Sequence, residues 1–389
     1  MTSTDDLSPS SEGAVQQAAA HGALGDALVH TGHLDAAIES YGRALALRPD
    51  TARFHTGLSR ALFRQGKLEE SEASARRALA IDPELAEAHS RLGKINLRRN
   101  NIGDAFESFT RAAQLSHERP ELEPCDREPV IEHKSRHDRE QLEYLSSIGV
   151  RAEESGHLFH LASADGRALD RSALGLANAA PAISRQWRES SPKIMVLDDF
   201  LSEEALTNLR KFCWGSTVWE NIYERGYLEA YLNSGISCPF LGQIADELRL
   251  RYPAVFGDMP LWLFWGFKYD SRLAGVGIHA DIAIVNVNFW ITPDEANLDP
   301  DSGGLIIWDT PPPPDWSATK FNSGDTDPAR NFLESCGSKS VTVPYRSNRA
   351  VIFDSSLFHA TDEIRFKEGY LNRRINITLL YGRRAPAAD

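Results

Sequence analysis

Two side chains that can ligate a metal ion stand two residues apart, just ahead of an apolar run rich in β-branched residues. His279 and Asp281 belong to the segment GVGIHADIAIVNVNFW, residues 275–290. In an extended segment, residues two apart share a face, so an imidazole nitrogen and a carboxylate oxygen can converge there. The same spacing recurs at His33 and Asp35, within a repeat turn, where both residues are interpreted as turn and cap material. The pair alone is therefore a weak motif.

A third candidate ligand and two adjacent arginines come later in the chain. His359 follows the apolar run of RAVIFDSSLFHATDE, and Arg373 and Arg374 open RRINITLLYG. Two histidines and one carboxylate on a common face leave three coordination positions open, which is the ligand set of non-haem Fe(II) oxygenases. A buried arginine in the same domain is suited to bind a carboxylate, because its planar guanidinium donates two parallel hydrogen bonds.

Strand-like segments surround these residues. Six runs are separated by Gly, Pro and Asp turns: LWLFWGFKY, VNVNFW, GGLIIWD, KSVTVPY, RAVIFDSS and RRINITLLYG. They predict an antiparallel barrel or sandwich. Upstream, residues 194–197 predict a short buried strand, and Ser202 is a candidate N-cap followed by two glutamates in the first helical turn.

Residues 191–384 resemble the Fe(II)/2-oxoglutarate-dependent dioxygenases, and among them the prolyl-hydroxylase type. His-x-Asp at 279–281, the distal His359, a basic residue on the last strand and the opening DDFLSEEALTNLRKFC carry the resemblance. It implies a double-stranded β-helix (jelly-roll) domain with flanking helices, with His279, Asp281 and His359 as the catalytic Fe(II) ligands. 2-Oxoglutarate and O₂ are the implied cosubstrates. The presence of Asp281 implies hydroxylation, since halogenating relatives lack this carboxylate.

The resemblance also implies residues that bind 2-oxoglutarate. Either Arg373 or Arg374 matches the basic residue that holds its far carboxylate. If Arg374 points inward, Thr378 and Asn376 share its face and the intervening apolar residues pack outward. This alternation favours Arg374 and leaves Arg373 to solvent or an ion pair. Tyr269 matches a tyrosine that contacts 2-oxoglutarate in the family, with an ordinary core aromatic as the alternative.

The strand VNVNFW presents a polar face. Asn286, Asn288 and Trp290 alternate along it and therefore point the same way. Buried amides need hydrogen-bond partners, so this face is predicted to line the cosubstrate pocket. Gly303 and Gly304 match a turn of the family, although Leu305 stands where an acidic residue is usual, and they are interpreted as structural.

The first third of the chain contains three copies of a 34-residue unit. The copies start at Leu24, Leu58 and Leu92. Matching positions hold turn residues and small alanines; these are Gly32, Gly66 and Asn100, and Ala44, Ala78 and Ala112. The pattern resembles tetratricopeptide repeats over residues 18–117, which implies an all-α solenoid with a concave surface. Docking of a peptide or protein and self-association into a homo-oligomer are equally open uses of that surface.

The remaining segments are assigned by composition. Residues 1–17 predict a disordered tail, and residues 118–190 predict a linker and helical connector. The segments 309–336 and 220–240 are predicted to form a lid or rim over the site.

Composition narrows the classes of protein and partner. The 389 residues carry a formal net charge of −13, which argues against a nucleic-acid partner. Four dispersed cysteines favour a reducing compartment. No secretory signal and no membrane span is visible, so a cytoplasmic protein without a membrane partner is expected.

Three hypotheses follow. The first is a dioxygenase that hydroxylates an amino-acid side chain in a peptide or protein docked partly by the repeats. The second is a hydroxylase of a small molecule or natural product, with repeats that serve oligomerisation. The third is a non-catalytic repeat adaptor.

Overall fold

The computed structural model describes residues 9–118, 132–150, 166–223, 225–232, 235–271, 275–322 and 326–384. The chain divides into two compact units, Met1–Glu121 and Leu122–Asp389. No helix within these described ranges is both long and apolar enough to cross a bilayer.

The first unit consists of three consecutive helix pairs, as the 34-residue period predicts. Its helices are α1 (Pro9–His30), α2 (Leu34–Leu47), α3 (Ala52–Arg64), α4 (Leu68–Ile81), α5 (Ala86–Arg98) and α6 (Ile102–Glu118). The equivalent turn residues all have positive φ, at 83° for Gly32, 84° for Gly66 and 64° for Asn100. Glycine and asparagine adopt this left-handed conformation at the least steric cost.

Helix α1 begins earlier than the sequence predicts. Residues 9–17, part of the predicted disordered tail, are helical in the structure, while residues 1–8 lie outside the described ranges. Pro9 occupies the first helical position, where its fixed φ suits a helix start. The alanines and glutamines that follow have high helix propensities. The prediction of a disordered tail rested on polar composition and did not take these propensities into account.

The second unit contains seven helices and ten strands within its described residues. The helices are α7 (Glu132–Ser147), α8 (Ala180–Glu189), α9 (Glu203–Gly215), α10 (Pro239–Arg251), α11 (Pro253–Phe256), α12 (Ala318–Phe321) and α13 (Asp327–Ser335). The strands are β1 (Ile194–Leu197), β2 (Asn221–Tyr223), β3 (Tyr227–Tyr231), β4 (Leu261–Tyr269), β5 (Val285–Trp290), β6 (Leu305–Trp308), β7 (Ser340–Val343), β8 (Ala350–Asp354), β9 (His359–Thr361) and β10 (Ile375–Tyr381).

The strands form two antiparallel sheets. Seven strands lie in the order β1-β8-β5-β10-β4-β3-β2, and three in the order β7-β6-β9. Buried side chains from both sheets, among them Trp290, Ile307 and Phe353, form one apolar cluster. Every residue of β5 and of β10 is buried, so polar side chains on these central strands need partners inside the domain.

Each of the six predicted strands is present, together with the predicted β1 and the Ser202 N-cap. The Ser202 Oγ accepts a hydrogen bond from the Ala205 amide at 3.3 Å. The predicted rim at 220–240 instead contributes two strands, because β3 pairs with β4 and β2 pairs with β3. This segment therefore extends the large sheet as well as bordering the site.

Part of the predicted connector is integral to the second unit. On α7, Glu140 pairs with Arg373 at 2.8 Å, and Arg136 pairs with Asp270. His137 of the same helix is fully buried. Residues 119–131 and 151–165 of the predicted connector lie outside the described residues.

Candidate metal centre and its cavity

The three predicted metal ligands meet between the two sheets. Ligand atoms of His279, Asp281 and His359 all lie within 4.8 Å of one another. The backbones of His279 and His359 exchange two hydrogen bonds, at 3.0 and 2.8 Å, and the Asp281 amide donates to the Ser355 carbonyl at 3.0 Å. His279 and Asp281 thus lie on an extended segment that precedes β5, and pairing across the sheets brings His359 beside them.

Backbone carbonyls orient both imidazoles. The Nδ1 of His279 lies 2.9 Å from the Gly277 carbonyl, and the Nδ1 of His359 lies 3.0 Å from the Leu357 carbonyl. A carbonyl only accepts, so each Nδ1 carries a proton, and Nε2 is the ring nitrogen left to face a metal ion. The Nε2 of His359 lies 3.5 Å from an Asp281 oxygen. The Nδ1–carbonyl contacts are the kind that ligating histidines use to fix their tautomer and ring orientation.

The charge of the cluster also suits a cation. Burial raises the pKa of Asp281, although His279 and a hydrogen bond from Asn286 oppose the shift. Burial holds the pKa of His359 well below its usual value, so this imidazole is neutral. A buried carboxylate beside two imidazoles is stabilised by a divalent ion, and this donor set fits Fe(II) with positions left for other ligands.

A chain of amides runs away from the cluster. Asn286 donates to Asp281 at 3.0 Å, and Asn288 donates to Asn286. Thr378 and Asn376, on the neighbouring strand β10, both donate to the side-chain oxygen Oδ1 of Asn288, at 3.0 and 2.9 Å. The predicted inward face of β5 is therefore a polar wall, and Asn376 belongs to it as well.

Arg374 closes the far end of this wall. Its side chain is buried, and its guanidinium carbon lies 4.7 Å from the centre of the Tyr269 ring and 5.5 Å from that of Trp290. Within the described ranges, no carboxylate forms an ion pair with it, and its Nη1 has no hydrogen-bond partner. Burial lowers the pKa of this guanidinium. A buried cation without an anion is costly, so an anionic ligand is the expected partner.

The adjacent Arg373 points elsewhere. It ion-pairs with Glu140 at 2.8 Å and lies 3.8 Å from Asp270. The sequence analysis gave two alternatives for the Arg373 side chain, exposure to solvent or an ion pair. The structure shows an ion pair in which the Arg373 side chain is buried.

Two glycines hold Arg374 in place, a role that sequence reasoning missed. The Gly303 carbonyl accepts from Nε at 2.7 Å, and the Gly304 carbonyl accepts from Nη2 at 3.2 Å. A Cβ on Gly304 would lie 1.9 Å from the Val343 carbonyl oxygen. The two glycines were identified in the sequence, but their contact with Arg374, about 70 residues later, could not be predicted from it.

The predicted pocket residues divide into two groups. His279, Asp281, His359, Asn286, Asn288, Tyr269, Thr378 and Arg374 line one narrow cavity. Trp290 does not line it; instead its ring packs against Arg374. Sequence reasoning missed Trp265, Phe267 and Thr361 as further lining residues, although the alternation of β4 from Tyr269 points to the first two.

The narrow cavity measures about 20 Å³, room for one or two water molecules. A dicarboxylate can enter only if side chains move. It adjoins a wider cavity of about 580 Å³, which His279 and Asp281 also line.

The insertion at 309–336 packs beside the cluster. Ala329 and Leu333 of α13 form an apolar cluster with Ala280 and Phe358, the neighbours of the ligands. Asn322 and Thr326 line the wider cavity. This position agrees with the predicted rim.

Comparisons with known proteins concern the first unit. A tetratricopeptide repeat family model matches residues 23–86. Among solved structures, the chain is similar to the first TPR of Spaghetti (RPAP3) bound to the HSP90 peptide SRMEEVD. The sequence identity is 24% and the TM-score 0.25, and the match covers 26% of this chain and 80% of that one. It is also similar to the Arabidopsis OM64 TPR domain, at 18% identity and TM-score 0.26 over 28% of this chain and 88% of that one. No curated protein matches the chain.

The class of protein is thus a repeat protein with an attached β-rich unit. The family match and the three helix pairs establish tetratricopeptide repeats in the N-terminal region. Repeats of this kind mediate protein interactions. The C-terminal unit is rich in antiparallel strands.

Proposed function

We propose that the second unit is an Fe(II)- and 2-oxoglutarate-dependent dioxygenase with a double-stranded β-helix (jelly-roll) core. Its reaction is hydroxylation of an amino-acid side chain in a peptide or protein. One observation carries the proposal: a single cavity with one polar wall is lined by the His279, Asp281 and His359 cluster and by Arg374, whose guanidinium has no anionic partner among the described residues and a free Nη1. A ligand that bridges them needs one chelating end and one carboxylate end, which describes 2-oxoglutarate.

The residues of the chain have separable roles in this reaction. His279, Asp281 and His359 would hold Fe(II), which together with 2-oxoglutarate would supply the oxygen activation. His279 and His359 present Nε2 lone pairs, because backbone carbonyls hold their Nδ1 protons. Asp281 contributes the negative charge, and Asn286 fixes its carboxylate. Arg374 orients the far carboxylate through the guanidinium nitrogen that the glycine carbonyls leave free.

The repeats are proposed to dock the substrate chain. The Spaghetti (RPAP3) repeats to which this chain is similar are described as bound to a short HSP90 peptide. A repeat surface that binds a segment remote from the reacting residue would raise the effective concentration of that residue at the metal centre. This role favours a peptide substrate over a small molecule with repeats that serve oligomerisation.

Succinate formation tests the proposal. Purified full-length protein, supplied with Fe(II), 2-oxoglutarate and O₂, is expected to form succinate. Asp281→Ala is expected to lose at least about 100-fold of that rate, because the metal would lose the carboxylate that the cluster provides. Asp35→Ala is the matched control, since Asp35 is the aspartate of the same His-x-Asp pattern in a repeat turn. Equal rates for wild type and Asp281→Ala would rule the proposal out.

A further inference from the structure

The wider cavity beside the metal ligands has an aromatic wall. Strands β2, β3 and β4 present their inner faces to it, with aromatic side chains at Tyr223, Tyr227, Tyr231, Trp262, Trp265 and Phe267. The rings of Tyr223 and Tyr227 stack at 4.5 Å, and Tyr227 lies 4.9 Å from Phe267. Aromatic faces carry partial negative charge and attract cations.

One carboxylate lies within this wall. Glu229 alternates with Tyr227 and Tyr231 along β3 and pairs directly with Phe267 across the strands. Its side chain is only 2% exposed, yet it lines the cavity. The Tyr223 hydroxyl donates to it at 2.5 Å, and Tyr231 is hydrogen-bonded to it as well.

This carboxylate has hydrogen-bond donors but no positive counter-charge among the described residues. Arg225 also lines the cavity but packs against Gly277 and forms no ion pair with Glu229 in the described part of the chain. Burial raises the pKa of Glu229, although the hydrogen bonds from Tyr223 and Tyr231 oppose the shift. A buried carboxylate without a counter-charge carries a desolvation cost. A cation brought by a ligand would remove that penalty and gain a charge-assisted hydrogen bond.

We propose that Glu229 and the aromatic side chains around it bind an ammonium group of the substrate, so that the substrate carries a lysine side chain at or next to the reacting position. The inference rests on the proposed function, because it takes this cavity as the substrate site of the dioxygenase. The arrangement combines the two features that recognise an organic cation: ring faces and one desolvated carboxylate. The cavity shares His279 and Asp281 with the metal cluster, so the bound side chain lies beside the metal.

Calorimetric titration of the full-length protein tests the inference without turnover. The probes are N-acetyl-L-lysine methylamide and its uncharged analogue N-acetyl-L-norleucine methylamide. The lysine probe is expected to bind about 10- to 100-fold more tightly to the wild type, the range that a hydrogen bond to a charged group supplies. Glu229→Gln is expected to abolish this preference. Glu143→Gln, on the exposed face of α7, removes the same charge and is expected to keep it.

Two outcomes overturn the inference: equal affinity of the wild type for both probes, or a lysine preference that survives Glu229→Gln. The first comparison needs no variant, so it stands even if Glu229→Gln fails to fold. A lysine preference in a protein that forms no succinate would reject the dioxygenase and keep the cation site. Succinate formation without a lysine preference would reject the cation site alone.

Discussion

Arg373 and Arg374 are neighbours in sequence, yet they face opposite sides of the same backbone. Arg374 reaches the cavity and Arg373 pairs with Glu140 on α7. Strand alternation alone predicts this division, because the residues that follow alternate between polar and apolar. The pair therefore offers two matched substitutions with different expected effects.

Arg374→Lys is expected to raise the KM for 2-oxoglutarate by at least about 100-fold. A lysine ammonium cannot contact both glycine carbonyls and also present a planar pair of donors to a carboxylate. The measurement is the dependence of succinate formation on 2-oxoglutarate concentration. Arg373→Lys should leave that KM unchanged and lower the unfolding temperature, since it weakens a buried ion pair. A larger KM effect in Arg373→Lys would reverse the assignment.

The convergence of His279, Asp281 and His359 was predictable from the sequence, because residue type and order are sufficient to propose it. The contacts around it were not. The carbonyls of Gly303 and Gly304 reach Arg374 across 70 residues of chain, and Trp290 packs behind the guanidinium instead of lining the cavity. Such contacts depend on how strands pair, which no local pattern specifies.

At the scale of elements, the helix turns of the repeats depend on left-handed backbone. Gly66→Ala is expected to reduce the free energy of unfolding by about 1 kcal/mol, because an alanine at φ 84° is sterically strained. Gly42→Ala is the matched control, since this exposed glycine lies inside α2 with open space around it. It should stabilise by up to about 1 kcal/mol. Chemical denaturation measures both, and a stabilising Gly66→Ala would contradict the assignment of this turn.

An ion pair at the edge of the large sheet should make the stability of the protein depend on pH. Asp198 follows β1 and pairs with Arg349 at 2.6 Å, and the hydrogen bond from Arg349 lowers the pKa of this carboxyl. A carboxyl whose pKa is lower in the folded state than in the unfolded state stabilises the folded protein at any pH above the unfolded pKa of about 3.9. This stabilisation is lost as the pH falls through the folded pKa. Asp198→Asn is therefore expected to be less stable than wild type at pH 7, with a gap that closes in strong acid. A gap that widens on acidification would contradict this sign.

The six predicted strands were predictable because each has an apolar run bounded by turn residues. Strands β2 and β3 were not, since they lie at one end of the large sheet and carry tyrosines and a glutamate, which were interpreted as a polar rim. The inner faces of β2 and β3 can be identified only once β3 is known to pair with β4.

For the whole molecule, the division into two units separates the proposed docking surface from the proposed metal site. A chain that begins at residue 122 retains every residue of the candidate metal site and of the cavity. It is expected to form succinate from 2-oxoglutarate at an unchanged basal rate. Its KM for a peptide substrate should rise at least about 10-fold, because the second contact is lost.

The same truncation separates the two kinds of substrate. A small-molecule hydroxylase would turn over its substrate equally well with and without the repeats. Unchanged peptide kinetics in the truncated chain would therefore contradict docking by the repeats while leaving the metal centre intact.

The most direct test of the central claim is mass spectrometry of peptides from a lysate after incubation with the protein, Fe(II), 2-oxoglutarate and O₂. Wild type is predicted to produce peptides heavier by one oxygen atom, and His279→Ala is predicted to produce none above the enzyme-free background. The same oxidised peptides in equal amounts from both proteins would contradict the account.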